Sequence, residues 1–172
     1  RSVCNHDAAL IYHLPVYEGK NPPGQSVTPA DSESKIPDFY WHISNHLADD
    51  DEAELRFVVE CKRLGSPSSS DWIFNENYVL NGIYRFLTDS HEYGKGDEEG
   101  GMIGYVQSMT FADILKDVNQ AICQSPISIT EVLSPADGWV ENGISELEQV
   151  LERPFPISPF RLFHFWVDIR RD

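Results

Sequence analysis

Two acidic residues and one lysine have the types and spacing of a hydrolytic metal site. Asp38 follows Pro37, and Glu60 and Lys62 stand two positions apart in the segment FVVECKRL. Two carboxylates that lie close together repel each other unless a cation sits between them. Carboxylate oxygens and water suit Mg²⁺ or Mn²⁺. A lysine beside such a pair can orient a water molecule or stabilise the charge that develops on a phosphate.

Two predicted strands must position these residues. Residues 36–44 (IPDFYWHIS) and 55–64 (LRFVVECKRL) are rich in the aromatic and β-branched residues that are typical of strands. If they form an antiparallel hairpin with Asp38 opposite Glu60, the numbers of paired residues sum to 98. The connection is then centred at residue 49, in an acidic stretch that suits a solvated turn.

The same hairpin predicts which side chains share a face. Side chains alternate along a strand, so Glu60 and Lys62 lie on one face. Phe57, Val59 and Cys61 lie on the other face, which we expect to be the core side.

The pattern of IPDFYWHI at 36–43 and FVVECKRL at 57–64 resembles the PD-(D/E)XK nuclease superfamily, the restriction-endonuclease-like fold. The resemblance implies that Asp38 and Glu60 bind Mg²⁺ and that Lys62 is the catalytic lysine that assists the attacking water. It also implies a core of a helix, a strand hairpin, a crossover helix and a further strand, and residues 6–107 follow that order. Many members add an acid on the first helix, for which Asp7 and Glu18 are weak candidates.

The segment 72–87 (WIFNENYVLNGIYRFL) is predicted to form the crossover helix, with Val79, Ile83 and Phe86 at helical spacing on its core face. A polar ridge of Asn77, Asn81 and Arg85 runs along the same helix. Gly82 lowers the helix propensity, so we expect something to approach closely there.

Four residues are further candidates for substrate binding. Asn81 and Arg85 either face the site or merely solvate the helix. Lys95, in the glycine-rich turn 93–101, either contacts a nucleic-acid backbone or belongs to a plain connection. His42 shares a face with Asp38 and is either a substrate contact or a packed or solvated histidine.

Further elements complete an α/β fold, with a central mixed β-sheet flanked by helices. We expect a short helix at 6–17, a strand at 102–107, a helix capped by Thr110, a short helix at 144–152 and a strand at 161–169. A chain of 172 residues suits a single domain, 1–172. Because the chain begins with Arg1 rather than Met, we expect this domain to be cut from a longer protein.

Composition limits the function classes. Thirteen Lys and Arg face 28 Asp and Glu, a net charge of −15, which argues against a non-specific DNA coat but not against a nuclease. No apolar run approaches the ~18 residues of a membrane span, and no secretory signal opens the sequence. Three cysteines without CxxC spacing argue against a disulfide framework and a structural zinc site, and they favour a cytoplasmic location.

Two functional hypotheses follow. The first is a Mg²⁺-dependent endonuclease that hydrolyses DNA, in a prokaryotic restriction or phage-defence system. The second is a catalytically inactive nuclease-like domain whose acidic surface binds a basic protein partner. The carboxylates and Lys62 favour the first, and the net charge favours the second. The sequence leaves open whether the chain forms a homodimer or works with an additional domain or subunit.

Overall fold

A computed structural model describes residues 16–17, 36–44, 54–70, 72–127, 129 and 131–170. Its strands are β1 (Val16–Tyr17), β2 (Phe39–Ser44), β3 (Glu54–Leu64), β4 (Glu99–Val106), β5 (Ser134–Pro135), β6 (Ile144–Leu151) and β7 (Phe160–Asp168). The helices are α1 (Phe74–Leu80), a 3-10 helix (Ile83–Phe86) and α2 (Phe111–Cys123). Within these residues no helix is long and apolar enough to cross a bilayer.

The seven strands form one mixed sheet, in the order β1-β2-β3-β4-β7-β6-β5. β3, β4 and β7 are parallel neighbours, and the remaining pairs are antiparallel. The prediction of an α/β fold with a mixed sheet is therefore confirmed. The expected helix at 6–17 lies outside the described residues apart from 16–17, which form a strand, and the turn around residue 49 also lies outside them.

The predicted register of the first hairpin is confirmed. Phe39 pairs with Val59 and Tyr40 with Val58, so that paired numbers sum to 98 as expected. One further step along this register places Asp38, the residue before β2, across from Glu60. The prediction came from placing the two acids Asp38 and Glu60 opposite each other, which centres the connection in the acidic stretch at residue 49.

The helices cover the face of the sheet that carries Glu60, which reverses our expectation. Tyr78 of α1 donates or accepts a 2.8 Å hydrogen bond with His164 Nδ1 and accepts one of 3.1 Å from Trp166 Nε1. Met102 pairs with Glu60 on one side and with His164 on the other, so all three side chains lie on the same face of the sheet. The opposite face, predicted to be the core side, is only half-buried at Phe57 and Cys61, although Val59 is buried.

The main core therefore lies between this face and the helices. It includes Val58 and Leu64 of β3 and the predicted core positions Val79, Ile83 and Phe86, all fully buried. Thr110 caps α2 as predicted, because its side chain accepts a hydrogen bond from the amide of Asp113. Glu60 is thus a buried charged residue on the face of the sheet that the helices cover.

Two helix predictions need correction. The segment 72–87 is not one helix: α1 ends at Leu80, and the chain continues after Asn81 and Gly82 as a 3-10 turn. The segment 144–152 is strand β6 rather than a helix, with burial that alternates residue by residue. The expectation of a close approach at Gly82 is confirmed, since an added Cβ would lie 2.3 Å from the Tyr78 carbonyl oxygen and 2.6 Å from Met102 Cε.

Candidate active site

The candidate site lies where β3 passes beyond the start of β2. β2 accompanies β3 only as far as Val59, so the next residues of β3 have a strand edge that β2 does not pair. Asp38 takes up the place of a strand partner there, since its Oδ2 accepts a 2.7 Å hydrogen bond from the Cys61 amide. This contact anchors the Asp38 carboxylate at the edge of β3, beside Glu60.

Glu60 is the central residue of the site. Only 1% of it is exposed, and its Oε1 contacts both Lys62 Nζ and Arg85 Nη1, the latter at 2.9 Å. Its other oxygen, Oε2, is buried and has no hydrogen-bond partner among the described residues. A buried carboxylate oxygen that lacks a donor is costly, and a bound cation is one way to satisfy it.

Burial dominates the electrostatics of Glu60. Loss of solvent raises the pKa of this carboxyl, the charges of Lys62 and Arg85 lower it, and the nearby charge of Asp38 raises it further. The two carboxylates therefore affect each other, which is the situation that a divalent cation relieves. The structure brings Asp38, Glu60 and Lys62 together, as the sequence predicted.

Lys62 lies on the same face of β3 as Glu60, two residues along. Besides its contact with Glu60 Oε1, its Nζ donates a 3.2 Å hydrogen bond to the Cys61 carbonyl oxygen. The side chain is 18% exposed, so the ammonium is held at the boundary between the protein and solvent. A substrate that reaches the edge of β3 can therefore contact Lys62 without displacing the core.

Arg85 reaches the site from the 3-10 helix. Its Nη1 contacts Glu60 and also donates a 3.2 Å hydrogen bond to the hydroxyl of Tyr93. Tyr93 is fully buried, and burial together with the charge of Glu60 raises its pKa to about 12, so the hydroxyl stays protonated. Sequence reasoning named Arg85 as a candidate but missed Tyr93, since nothing distinguished it from the neighbouring turn residues.

The other predicted substrate contacts are placed elsewhere or are not described. The Asn81 side chain is exposed and donates to Asn77 Oδ1, while Lys95 Nζ pairs with Glu92 Oε1 at 2.5 Å. The backbone of His42 pairs with Arg56 in the hairpin, and its side chain lies outside the described part of the protein.

Cys61 does not have the properties of a nucleophile. Burial and the charge of Asp38 raise the pKa of its thiol to about 12, so the sulfur remains protonated at neutral pH. Nucleophilic cysteines have lowered pKa values, because the thiolate is the reactive form.

The donor set fits a hard divalent cation. Mg²⁺ is commonly held by one or two carboxylates, with waters and substrate phosphates as its other ligands. Asp38 and the free Oε2 of Glu60 supply such a pair. Within the described residues there is no cluster of three or more His, Cys, Asp or Glu side chains placed to hold a metal, so this pair is no all-protein cage.

The immediate surroundings of the acidic pair are basic despite the net charge of −15. Lys62 and Arg85 contact Glu60, and Arg63 follows on β3 with its guanidinium 4.4 Å from the centre of the Phe74 ring. Of these cations, Arg63 is exposed and Lys62 is partly exposed, so an anion that approaches this edge of β3 can meet both. Comparisons with family models, with curated proteins and with solved structures find no match for this chain.

Proposed function

We propose that the protein is a Mg²⁺- or Mn²⁺-dependent nuclease that hydrolyses phosphodiester bonds in DNA. The observation that carries the proposal is the buried Glu60, whose free Oε2 lies in a site shared with Asp38 and Lys62. A carboxylate with no donor for one oxygen is a poor structural residue but a suitable cation ligand. The succession β2, β3, α1 and β4 agrees with the core that the resemblance implies.

Each residue of the site has a distinct role in the proposed reaction. Asp38 and Glu60 would hold the cation, which when bound supplies positive charge beside the scissile phosphate and makes a water molecule more acidic. Lys62 would orient the attacking water or stabilise the extra negative charge on the phosphate. Arg85, fixed by the Tyr93 hydroxyl, holds the Glu60 carboxylate in position.

The net reaction adds one water molecule across a phosphorus–oxygen bond. The water oxygen bonds to phosphorus, the bond to one sugar oxygen breaks, and that oxygen leaves with a proton. Neither the thiol of Cys61 nor the hydroxyl of Tyr93 serves as the nucleophile or as a base, because both remain protonated at neutral pH. A place in restriction or phage defence remains a prediction from the resemblance.

The deciding experiment is plasmid nicking with and without divalent metal. We expect nicking with Mg²⁺ or Mn²⁺, none in EDTA, and loss of nearly all activity in Lys62→Ala. Lys116→Ala is the matched control, because Lys116 is an exposed lysine of α2. Lys116→Ala should unfold at nearly the same urea concentration as the wild type. Lys62→Ala should lose some stability, because it takes one of two cations away from the buried Glu60 carboxylate, so circular dichroism must show that the variant is folded before its activity is compared.

The net charge of −15 supports a second candidate function, an inactive domain that binds a basic protein partner. Isothermal titration distinguishes the two. Heat of binding for Mg²⁺ or Mn²⁺ that disappears in Asp38→Asn supports the nuclease. Absence of both metal binding and nicking would overturn it and leave the binding domain.

A further inference from the structure

A cavity of about 280 Å³ adjoins the candidate active site at the edge of β3 that β2 does not pair. It is somewhat smaller than the roughly 300–1,000 Å³ of sites for drug-sized ligands, which suits a single ring system. Its lining includes Lys62, Arg63, Trp72, Phe74, Asn77 and Tyr105. Cys61 and Lys62 belong both to this lining and to the contacts of the acidic pair, so the cavity lies next to the site.

The lining combines aromatic rings with cations. Trp72 is 49% exposed, a large apolar area to leave in solvent on a side chain outside the core. Phe74 carries the Arg63 guanidinium on its ring, and Arg63 forms no ion pair with any acidic residue that the structure describes. Among the described residues no carboxylate pairs with this exposed arginine, so its guanidinium can bind an anion.

We propose that this cavity binds the base of an unpaired nucleotide next to the scissile phosphate, with Trp72 as the stacking surface. The inference rests on the proposed nuclease function. Aromatic side chains stack on bases of any sequence, and neighbouring basic groups follow the backbone. A base within a duplex has both faces covered by its neighbours, so only single-stranded or locally unpaired DNA can present one. The expected substrate is therefore single-stranded DNA or a duplex with an unpaired nucleotide.

The test compares Trp72→Ala, Trp72→Phe and the control Leu80→Ala, which removes an exposed apolar side chain from α1 outside the cavity. The substrates are a labelled single-stranded oligonucleotide and the same strand in a blunt duplex, each with Mg²⁺. We expect the wild type to prefer the single strand. Trp72→Ala should lower kcat/KM on it about tenfold, whereas Trp72→Phe and Leu80→Ala should stay within about twofold of the wild type.

Abasic substitution isolates the stacking contact. In oligonucleotides with one abasic position, the wild type should cleave next to that position about as slowly as Trp72→Ala cleaves the unmodified strand. Trp72→Ala should cleave there at the same rate as the wild type, because the stacking contact is already absent. Equal rates for Trp72→Ala and wild type on the unmodified strand would overturn the base site. Circular dichroism and urea unfolding show whether Trp72→Ala is folded, and Trp72→Phe keeps a ring at the position.

Binding measurements separate failure of this inference from failure of the nuclease proposal. Fluorescence anisotropy with the same single strand, in EDTA, reports the base site without cleavage. Binding that weakens in Trp72→Ala but is accompanied by no cleavage would overturn the nuclease and retain the base site. Cleavage that is independent of Trp72 would retain the nuclease and overturn the base site. Neither binding nor cleavage would overturn both.

Discussion

Arg85 and Glu60 meet across the interface between the 3-10 helix and β3, with Nη1 and Oε1 2.9 Å apart. An unbroken helix over 72–87 would have kept Arg85 in one ridge with Asn77 and Asn81. The helix instead ends at Leu80, and Gly82 lets the chain pass close to Met102 before the 3-10 turn begins. Arg85 thereby contacts Glu60, while Asn81 remains at the surface with Asn77.

Arg85→Ala should impair the site without removing a metal ligand. The substitution frees the Glu60 carboxylate to move, and loss of such a supporting contact typically costs about 10- to 100-fold in metal affinity or activity. Titration calorimetry with Mn²⁺ and plasmid nicking measure the two effects. Arg161→Ala is the control, because that exposed arginine pairs with Glu99 and Glu148 on the surface. An Arg85→Ala protein with the metal affinity and nicking rate of the control would contradict the supporting role.

Glu60→Gln should separate activity from stability. Burial raises the pKa of Glu60, so the folded state keeps this proton to a higher pH than the unfolded state does. As the pH rises from the pKa of Glu60 in the unfolded chain through its raised pKa in the folded chain, this group lowers the free energy of unfolding. At neutral pH the charged form of Glu60 therefore destabilises the folded state. We expect Glu60→Gln to lower nicking at least about 100-fold, because loss of a metal ligand should cost no less than the about 10- to 100-fold typical of losing a contact that supports one.

The same variant should have a higher melting temperature than the metal-free wild type at pH 7. The difference should shrink at pH 4, where the wild-type carboxyl is largely protonated. Differential scanning calorimetry at both pH values measures this. A variant that is less stable than the wild type at pH 7 but not at pH 4 would mean that the ion pairs with Lys62 and Arg85 outweigh the cost of burial.

His164 should contribute to loss of stability in acid. It is fully buried, and burial lowers its pKa to about 3 from an ordinary value of 6.5. Below pH 6.5 His164 binds a proton in the unfolded chain but stays neutral in the folded chain. The free energy of unfolding therefore falls as the pH decreases, by up to about 1.4 kcal/mol per pH unit. Above that range the contribution is constant.

Urea unfolding between pH 7 and pH 4.5 tests this, with His164→Gln as the variant that cannot titrate. The stability of the wild type relative to His164→Gln should decrease steadily below pH 6.5. His91→Gln, a change at a half-buried loop histidine, is the control for replacing a histidine that is not fully buried. Parallel pH curves for the wild type and His164→Gln would rule out the predicted titration.

Gly82→Ala should destabilise the fold. The added methyl group would fall within 2.6 Å of both the Tyr78 carbonyl oxygen and Met102 Cε. Overpacking of this kind costs about 1–3 kcal/mol. Gly96→Ala is the matched control, because nothing lies within 4 Å of a Cβ built there. The urea midpoints of unfolding measure the stability of both variants. Equal midpoints would show that the structure around Gly82 adjusts to the added methyl group without loss of stability.

Local pattern was sufficient for the first hairpin and for α2. The acids, the strand composition and the connection between the strands determined a register in which Phe39 pairs with Val59. The Thr110 cap and the apolar stripe beginning at Phe111 determined where α2 starts. These features depend on neighbours in sequence or on a single strand pairing, and their physical causes are local.

The tertiary structure decided which elements cover which surfaces. In β6 the apolar residues Ile144, Leu147 and Val150 recur at helical spacing, yet pairing with β7 makes the segment a strand and leaves Ile144 and Val150 exposed. Likewise, either face of β3 is apolar enough to be a core, and only the packing of α1 on His164 and Trp166 places Glu60 on the covered side. Burial and long-range contacts such as Arg85 with Glu60 depend on the whole sheet, so no local pattern contains them.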